Sequence, residues 1–355
     1  MSIQLPTKTP EKQSPGPARN LGIGVTKRAV GKAAVAAAII LVVGLGLPLI
    51  LSNHYYMGLV LDAAILALLA LSIGFLARHL GLISLGHTAF FGGAAYATAI
   101  AATHWGLSPL AGAGIGVVAG VGISLLIGSL VIRATGMGFL MLTLALSQAL
   151  YQISIQPVAR EITGAYDGLH LQFDSGSTFL GIKTSQLMVP ATFWPIAWSV
   201  LVVVAFLLWF ISKSKFGSLL EGIRENEERM RFSGFETYLP RLAAFVISGT
   251  IASLGGVLFV LNAAYVSPET LGFVQSGDAL IAAIIGGLGT LLGPVLGALI
   301  FSLGGSFLNT GGNLLLYMGI LLVLVLVFMP GGLTGAAGKL RKKFVRSASR
   351  KKANK

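Results

Sequence analysis

Residues 213–239 form the one long, highly charged segment in the middle of the chain, with the sequence KSKFGSLLEGIRENEERMRFSGFETYL. Apolar residues recur between Gly217 and Gly234 at a helical spacing, which predicts a short amphipathic helix over 218–230. Carboxylates and guanidinium groups on such a helix can form ion pairs with one another or with a second protein. Composition alone favours the first arrangement, a solvated loop with internal Glu–Arg pairs.

Motifs for covalent or metal chemistry are weak or missing from the sequence. No G-x-x-x-x-G-K-[ST] occurs; Gly31-Lys32, for example, is followed by Ala33 and lacks the correctly spaced first glycine. No H-E-x-x-H occurs, and the absence of cysteine excludes disulfides and thiolate catalysis. Asp167 and Asp278 faintly resemble an intramembrane aspartyl dyad, but Asp167 lies in a polar loop and Gln275 stands where a glycine is expected. We therefore assign this chain no catalytic residue, no metal ligand and no cofactor.

Polar side chains and glycines inside the apolar segments are candidates for a solute pathway. Hydrogen bonds and close packing between helices explain such residues equally well. For Asp62, which lies near the outer end of a segment, interfacial solvation is favoured over a pathway role. The pathway candidates are His87, Thr143, Gln148, Gly286, Gly287 and Gly289.

The amino-acid composition indicates whether the protein lies in water or in a lipid bilayer. Of the 355 residues, 55% are hydrophobic and 10% are charged, whereas soluble domains carry about 25% charged residues. The net charge of +13 lies mainly in the tails and the central loop, a distribution that is typical of membrane proteins and disfavours nucleic-acid binding. The sequence thus predicts an all-α, polytopic integral membrane protein embedded in the lipid bilayer.

Apolar runs of about 20 residues mark the candidate membrane helices. They lie near 30–51, 57–77, 81–102, 107–132, 137–157, 191–212, 240–262 and 313–329. Both tails are basic, so both termini are expected in the cytoplasm. An even number of crossings then requires the Gly-rich run 276–311 to cross twice, near 276–290 and 293–310, which gives about ten crossings. Arg160 and Lys183 are then the only basic residues that face outward.

The chain therefore divides into three predicted regions. They are a basic, disordered cytoplasmic tail at 1–29, a transmembrane domain at 30–330, and a second basic cytoplasmic tail at 331–355. Within the transmembrane domain, loop 213–239 faces the cytoplasm and loop 158–190 faces outward. Glycine and proline interrupt the segments near 81–102 and 276–311. Broken helices at membrane depth are tolerated only beside protein or a water-filled cavity.

Three stretches, in order, resemble the Liv-type branched-chain amino acid ABC permeases. They are SLGHTAFFGGAAY at 84–96, GSLLEGIRENE at 217–227 and GGLGTLLGPVLGA at 286–298. The resemblance covers roughly residues 55–335, and the length and long N-terminal tail are more similar to the M-type than to the H-type subunit. The outer loop departs from the pattern, because Ala165 stands where the family usually has the second glycine of Thr-Gly-Gly.

This resemblance implies an importer driven by ATP. The chain would form half of a pathway for branched-chain, hydrophobic amino acids, together with a second homologous permease subunit. Two cytoplasmic ATPase subunits would hydrolyse ATP with Mg²⁺, and a periplasmic solute-binding protein would deliver the solute. The complex would lie in the bacterial inner membrane. Urea or short amides are alternative solutes, since permeases of the same type import them.

The resemblance also implies that 30–330 is a transmembrane permease domain, with a cytoplasmic coupling loop at 213–239 and a periplasmic loop at 158–190. It implies roles for individual residues as well. Those expected to contact the ATPase are Gly217, Glu221, Gly222, Arg224, Glu225, Asn226, Glu227 and Arg229. Those of the periplasmic loop are Thr163, Gly164, Asp167 and Gly168. An ion-coupled secondary transporter is the alternative from another class. It needs ionisable groups at the midplane, whereas Asp62 and Asp278 lie near segment ends.

Overall fold

The computed structural model describes residues 27–51, 53–173, 176–308, 314–329 and 331–335. Its helices are α1 (Lys27–Leu45), α2 (Leu47–Ile50), α3 (His54–Leu80), α4 (His87–Thr103), α5 (Pro109–Val131), α6 (Gly136–Ser154), α7 (Arg160–Thr163), α8 (Thr184–Leu187), α9 (Pro190–Lys213), α10 (Lys215–Glu225), α11 (Glu227–Phe232), α12 (Tyr238–Ala263), α13 (Phe273–Gly286), α14 (Gly293–Leu308) and α15 (Leu314–Phe328). α1 begins at Lys27, inside the tail predicted over 1–29. The rest of that tail, 1–26, and residues 336–355 of the second tail lie outside the described residues.

Two short antiparallel ribbons accompany the helices. β1 (Leu169–His170) pairs with β4 (Tyr265–Val266), and β2 (Thr178–Phe179) pairs with β3 (Ile182–Lys183). Both ribbons involve the predicted periplasmic loop, 158–190. The described part of the chain is otherwise helical, as the sequence predicts.

Each predicted apolar segment contains a helix. The stretches that are long and apolar enough to cross a bilayer are Ala29–Ile50, His54–Leu80, Pro109–Val131, Gly136–Ser154, Pro190–Lys213 and Tyr238–Ala263. The other predicted segments correspond to the shorter helices α4, α13, α14 and α15. The chain is therefore a multi-pass membrane protein. The total of about ten crossings and the cytoplasmic position of both termini remain predictions from the charge distribution.

Helices α3, α4 and α12 form the centre of the bundle. α3 packs against α9, α12, α13 and α14, while α4, α5 and α12 pack against one another. Aromatic rings fill the interior, with the Phe245 ring centroid 5.5 Å from that of Phe90 and 6.0 Å from that of Phe139. Glycine lets the backbones approach, since a Cβ at Gly256 would overlap the Phe91 carbonyl oxygen.

The predicted interruption near 81–102 is a break between α3 and α4. α3 ends because Gly81 adopts a left-handed backbone with φ 68°, and α4 begins at His87. The connecting residues have no regular structure. A neighbouring helix satisfies part of this backbone, because the Ser276 hydroxyl donates to the Leu85 carbonyl at 2.6 Å.

Candidate functional site

The predicted coupling loop begins with a tight turn between α9 and α10. The Ser214 side chain caps α10 by accepting a hydrogen bond from the Gly217 N–H at 3.3 Å. A Cβ at Gly217 would overlap the Ile211 carbonyl oxygen, so only glycine permits this close return. Leu220 and Ile223 are buried, which fixes the apolar face of α10 against the bundle.

The single helix predicted over 218–230 is wrong, because α10 and α11 meet at Asn226. Asn226 has φ −160° and ψ 99°, and its side-chain oxygen accepts from the Arg229 N–H at 2.8 Å. Asparagine favours such caps because its side chain competes with the helix for backbone donors. α11 then folds back, and the Met230 sulfur lies 3.2 Å from where a Cβ of Gly222 would be. We call α10 and α11 together the coupling element.

Arg224 fastens the coupling element to the end of α3. Its guanidinium donates to the Arg78 carbonyl oxygen. Its aliphatic stem lies along Gly81, the left-handed residue that ends α3. The last carbonyls of a helix have no N–H donor within that helix, so the guanidinium supplies one. Its positive charge also interacts favourably with the negative end of the helix dipole. Arg224 is thus engaged within the chain.

Glu227, the first residue of α11, fastens the coupling element to α12. One carboxylate oxygen accepts from the Arg241 guanidinium at 2.7 Å, and the other accepts from the Thr237 hydroxyl at 2.9 Å. Arg241 also donates to the Ala134 carbonyl at 3.2 Å, in the turn between α5 and α6. The Arg241 side chain is 8% exposed and the Glu227 side chain 26%, so solvent screens this pair only partly.

The remaining charged residues of the coupling element face solvent. Glu221, Glu225, Glu228 and Arg229 are exposed, and none of them forms an ion pair with another described residue. The structure therefore divides the eight predicted coupling residues. Glycine and asparagine shape the element, Arg224 and Glu227 attach it to the bundle, and the others remain available to a partner.

His87, a predicted pathway residue, is fully buried at the start of α4. The Ser248 hydroxyl donates to the Ser72 carbonyl at 2.6 Å, and His87 Nε2 lies 2.6 Å from the same hydroxyl. Since Ser248 has one proton, the Nε2–H of His87 must donate to it, and Nδ1 is left without a partner among the described residues. This network joins α3, α4 and α12.

Thr143 and Gln148, the other polar pathway candidates, lie on α6. The buried Thr143 hydroxyl donates to the Leu140 carbonyl at 2.9 Å, within its own helix. Gln148 is partly buried, and its Nε2 has no hydrogen-bond partner among the described residues. Ser147 links this region to α4, because its hydroxyl lies 3.0 Å from that of Thr88.

The glycine candidates near 286 pack helices together. α13 ends at Gly286, a few residues before the end of the segment predicted near 276–290, because Gly287 has φ 107°. A Cβ at Gly286 would overlap the Gly293 carbonyl, and one at Gly297 would overlap the Ala282 carbonyl. By contrast, a Cβ at Gly289 would meet no described atom within 4 Å. Among the described residues, no hydrogen bond joins this group to His87, Thr143 or Gln148.

Asp62 and Asp278 line one cavity of about 290 Å³. Asp62 lies about 12 Å along α3 from its outer end, and Asp278 about 8 Å along α13. Gln275 and Ser302 add polar groups, and the rings of Phe91, Phe259 and Phe301 complete the walls. No local sequence pattern pairs the two aspartates. Only the packing of α3 against α13 brings them to one cavity, and the described residues hold no cluster of three or more side chains suited to a metal ion.

The periplasmic-loop candidates form one compact turn. The Thr163 hydroxyl lies 2.7 Å from the Ser154 carbonyl, and Gly164 and Gly168 adopt left-handed backbones with φ 75° and 70°. Asp167 pairs with the exposed Arg160 at 3.3 Å. Ala165, the departure from the family pattern, also has a left-handed backbone, with φ 49°.

Comparison with known proteins identifies a family of membrane permeases that this chain resembles. A family profile described as "Branched-chain amino acid transport system / permease component" matches residues 55–330. The high-affinity branched-chain amino acid transport system permease proteins LivM of Salmonella typhimurium and Escherichia coli are each 26% identical over 277 residues. Each alignment covers 71% of this chain and 64% of the relative.

A shorter similarity extends to another import system. The autoinducer 2 import system permease protein LsrC of Escherichia coli is 30% identical over 145 residues, which is 38% of this chain and 42% of that protein. No solved structure matches the chain significantly. Since the family profile covers most of the chain, including the coupling element and the α13–α14 break, the chain belongs to the branched-chain amino acid transport system permease family.

Proposed function

We propose that this chain is the membrane permease subunit of an ATP-binding cassette importer and forms half of a pathway for branched-chain, hydrophobic amino acids. Family membership and the two LivM relatives support this assignment. The observation that carries it is the coupling element. Its apolar face is buried, Arg224 and Glu227 attach it to α3 and α12, and Glu221, Glu225 and Glu228 are exposed. Such an element can receive force from a partner and pass it to the bundle.

The proposal assigns the other tasks to other chains. Two cytoplasmic ATPase subunits bind ATP and Mg²⁺, a periplasmic solute-binding protein docks on the outer loop, and a second homologous permease subunit completes the pathway in the bacterial inner membrane. This chain is a non-catalytic subunit. The region boundaries 1–29, 30–330 and 331–355 are part of the same proposal.

Among the pathway candidates, Gln148 fits that role best, because its buried amide nitrogen has no partner among the described residues. His87, Thr143, Gly286 and Gly287 have contacts that account for them structurally. Gly289 has no close packing contact that explains it, so it remains a candidate for the solute pathway.

Reconstitution into proteoliposomes tests the proposal. The full-length chain is co-expressed with the ATPase, binding-protein and second permease genes of its own genome, and radiolabelled leucine uptake is measured with internal ATP. ATP-dependent uptake that requires the binding protein supports the importer. A chain that purifies alone and gives no ATPase activity would overturn it. Urea, acetamide and autoinducer 2 as competitors then identify the solute class.

An ion-coupled secondary transporter is the second candidate function. The cavity that Asp62 and Asp278 share favours it, because carboxylates facing a membrane cavity are typical of ion pathways. Uptake by the chain alone under a proton or sodium gradient, lost in Asp62→Asn or Asp278→Asn, would establish this function. Uptake that follows ATP and ignores both gradients would reject it.

A further inference from the structure

Two indole groups of α9 hold the outer half of α1. The Trp194 Nε1–H donates to the Gly44 carbonyl at 2.7 Å, and the Trp198 Nε1–H donates to the Ile40 carbonyl at 3.2 Å. Nearer the N-terminus of α1, residues of both helices line a groove of about 600 Å³, which we call the α1–α9 groove.

Apolar side chains line the α1–α9 groove. Ala33, Ala36 and Ala37 share one face of α1, while Phe206 and Trp209 lie on the facing side of α9. Val295 of α14 contributes to the floor. The small alanine side chains of α1 leave this space open beside the large rings of α9.

The few polar groups at the groove already have partners. The hydroxyls of Thr290 and Thr334 lie 2.7 Å apart, and Thr334 donates to the Gly286 carbonyl at 2.8 Å. Thr290 also accepts from the Gly293 N–H at 3.1 Å. Because these hydroxyls already form hydrogen bonds within the chain, the groove favours an apolar occupant over a polar solute.

The depth of the groove fits one leaflet of a bilayer. From Trp198 to Trp209 its α9 wall is about 16 Å long, roughly half of the ~30 Å hydrocarbon core. Trp209 is one helical turn before Lys213, where α9 ends and the coupling element follows. The groove therefore lies in the leaflet on the coupling-element side.

Basic side chains stand where a lipid headgroup would lie. Lys32 is one turn beyond Ala36, and Lys213 is one turn beyond Trp209, both toward the same membrane surface and both exposed. Neither α1 nor α9 contains Asp or Glu. We propose that the α1–α9 groove binds an anionic phospholipid of the inner leaflet, with an acyl chain between the helices and the headgroup at Lys32 and Lys213.

Quenching of Trp209 by brominated phospholipid tests this site. The full-length chain is reconstituted in phosphatidylcholine vesicles that contain brominated phosphatidylglycerol or, at the same mole fraction, brominated phosphatidylcholine. Subtracting the signal of Trp209→Phe isolates the response of this residue from the other tryptophans. We expect brominated phosphatidylglycerol to be favoured about fivefold for each lysine, and the preference to disappear in the double variant Lys32→Gln, Lys213→Gln. Lys183→Gln, in the periplasmic loop, is the matched control and should keep it.

Two results would overturn the proposal. Equal quenching by both lipids would mean that any acyl chain fills the groove, with no anionic site. No quenching by either lipid would mean that protein occupies it, either residues 336–355 or a partner, and truncation after Gly335 would separate these two cases. The test measures no transport, so its result is independent of the proposed import function.

Discussion

Arg241 of α12 donates a 2.7 Å hydrogen bond to the carboxylate of Glu227, across the junction between the coupling element and the membrane bundle. The same guanidinium reaches the Ala134 carbonyl. One side chain thus joins the coupling element, α12 and the turn between α5 and α6. A movement of α11 reaches two further elements of the bundle through this residue.

Glu227→Gln should weaken this attachment. Losing a hydrogen bond to a charged group costs about 1.5–3 kcal/mol, so the melting temperature of the purified chain should fall by several degrees. In the assembled importer, solute transported per ATP hydrolysed should fall more than ATP hydrolysis itself. The matched control is Glu236→Gln, an exposed carboxylate nearby. If the two variants behave alike, Glu227 has no coupling role.

The exposed acidic edge should matter for partner binding and hardly for folding. Replacing Glu221, Glu225 and Glu228 together by alanine should leave the melting temperature unchanged. Capture of the ATPase should weaken about tenfold, since each exposed ion pair contributes about 0.2–1 kcal/mol. Affinity measured at low and high salt checks the electrostatic origin. Glu161→Ala in the periplasmic loop serves as the control, and an equal loss there would refute the assignment.

Ser248→Ala should destabilise the chain. The variant leaves the buried Nε2–H of His87 without its acceptor, at a cost of about 1–3 kcal/mol. Ser253→Ala is the control on the same helix, because its hydroxyl bonds only the Gly249 carbonyl one turn earlier. Thermal unfolding distinguishes a structural role of His87 from a role in the solute pathway. Unchanged stability with an altered KM for the solute would instead place His87 in the pathway.

Gly297→Ala and Gly289→Ala should differ sharply. A Cβ at Gly297 overlaps the Ala282 carbonyl, so α13 and α14 must separate, with a cost of about 1–3 kcal/mol or more. Gly289 has open space around it in the described structure. The yield of monodisperse protein after detergent extraction measures both. Equal tolerance would show that the α13–α14 contact is not close.

Ala165→Gly should stabilise the periplasmic loop. The left-handed backbone of Ala165, with φ 49°, costs about 1–2 kcal/mol for a residue with a Cβ. Glycine removes that strain, but its greater freedom in the unfolded chain costs about 0.4–1 kcal/mol, so the net gain in stability is at most about 1.6 kcal/mol. Protease resistance of the loop provides the measurement. Faster cleavage of the glycine variant would contradict the strain.

Hydropathy predicted the membrane helices well because a bilayer demands long apolar runs, and each predicted run contains a helix. Glycine and proline also predicted both breaks. The position of the second was wrong by a few residues, since several glycines in 286–293 could have ended α13 and the contacts of Gly287 decided which one did. The break at Asn226 was missed although asparagine is a strong cap, because the apolar spacing continues across it.

The candidate site was less predictable, because its central contacts join distant parts of the chain. Glu227 and Arg241, or Asp62 and Asp278, meet only through helix packing, and no local pattern predicts such pairs. The same holds for Arg224, whose charge suggested a partner protein but whose acceptor is the backbone of Arg78. The local sequence therefore predicted the coupling element, but it did not predict which residue each charged side chain contacts.

The two indole bonds that hold α1 end on main-chain oxygens, and such acceptors exist whatever side chain is present. Of the two residues whose carbonyls accept these bonds, Gly44 must be glycine, because a Cβ there would overlap the Trp198 ring. The family match begins at residue 55, after this helix. We therefore expect the outer half of α1, apart from Gly44, to tolerate other apolar side chains. In related chains, Gly44, Trp194 and Trp198 should be inherited or lost together, as one unit of descent.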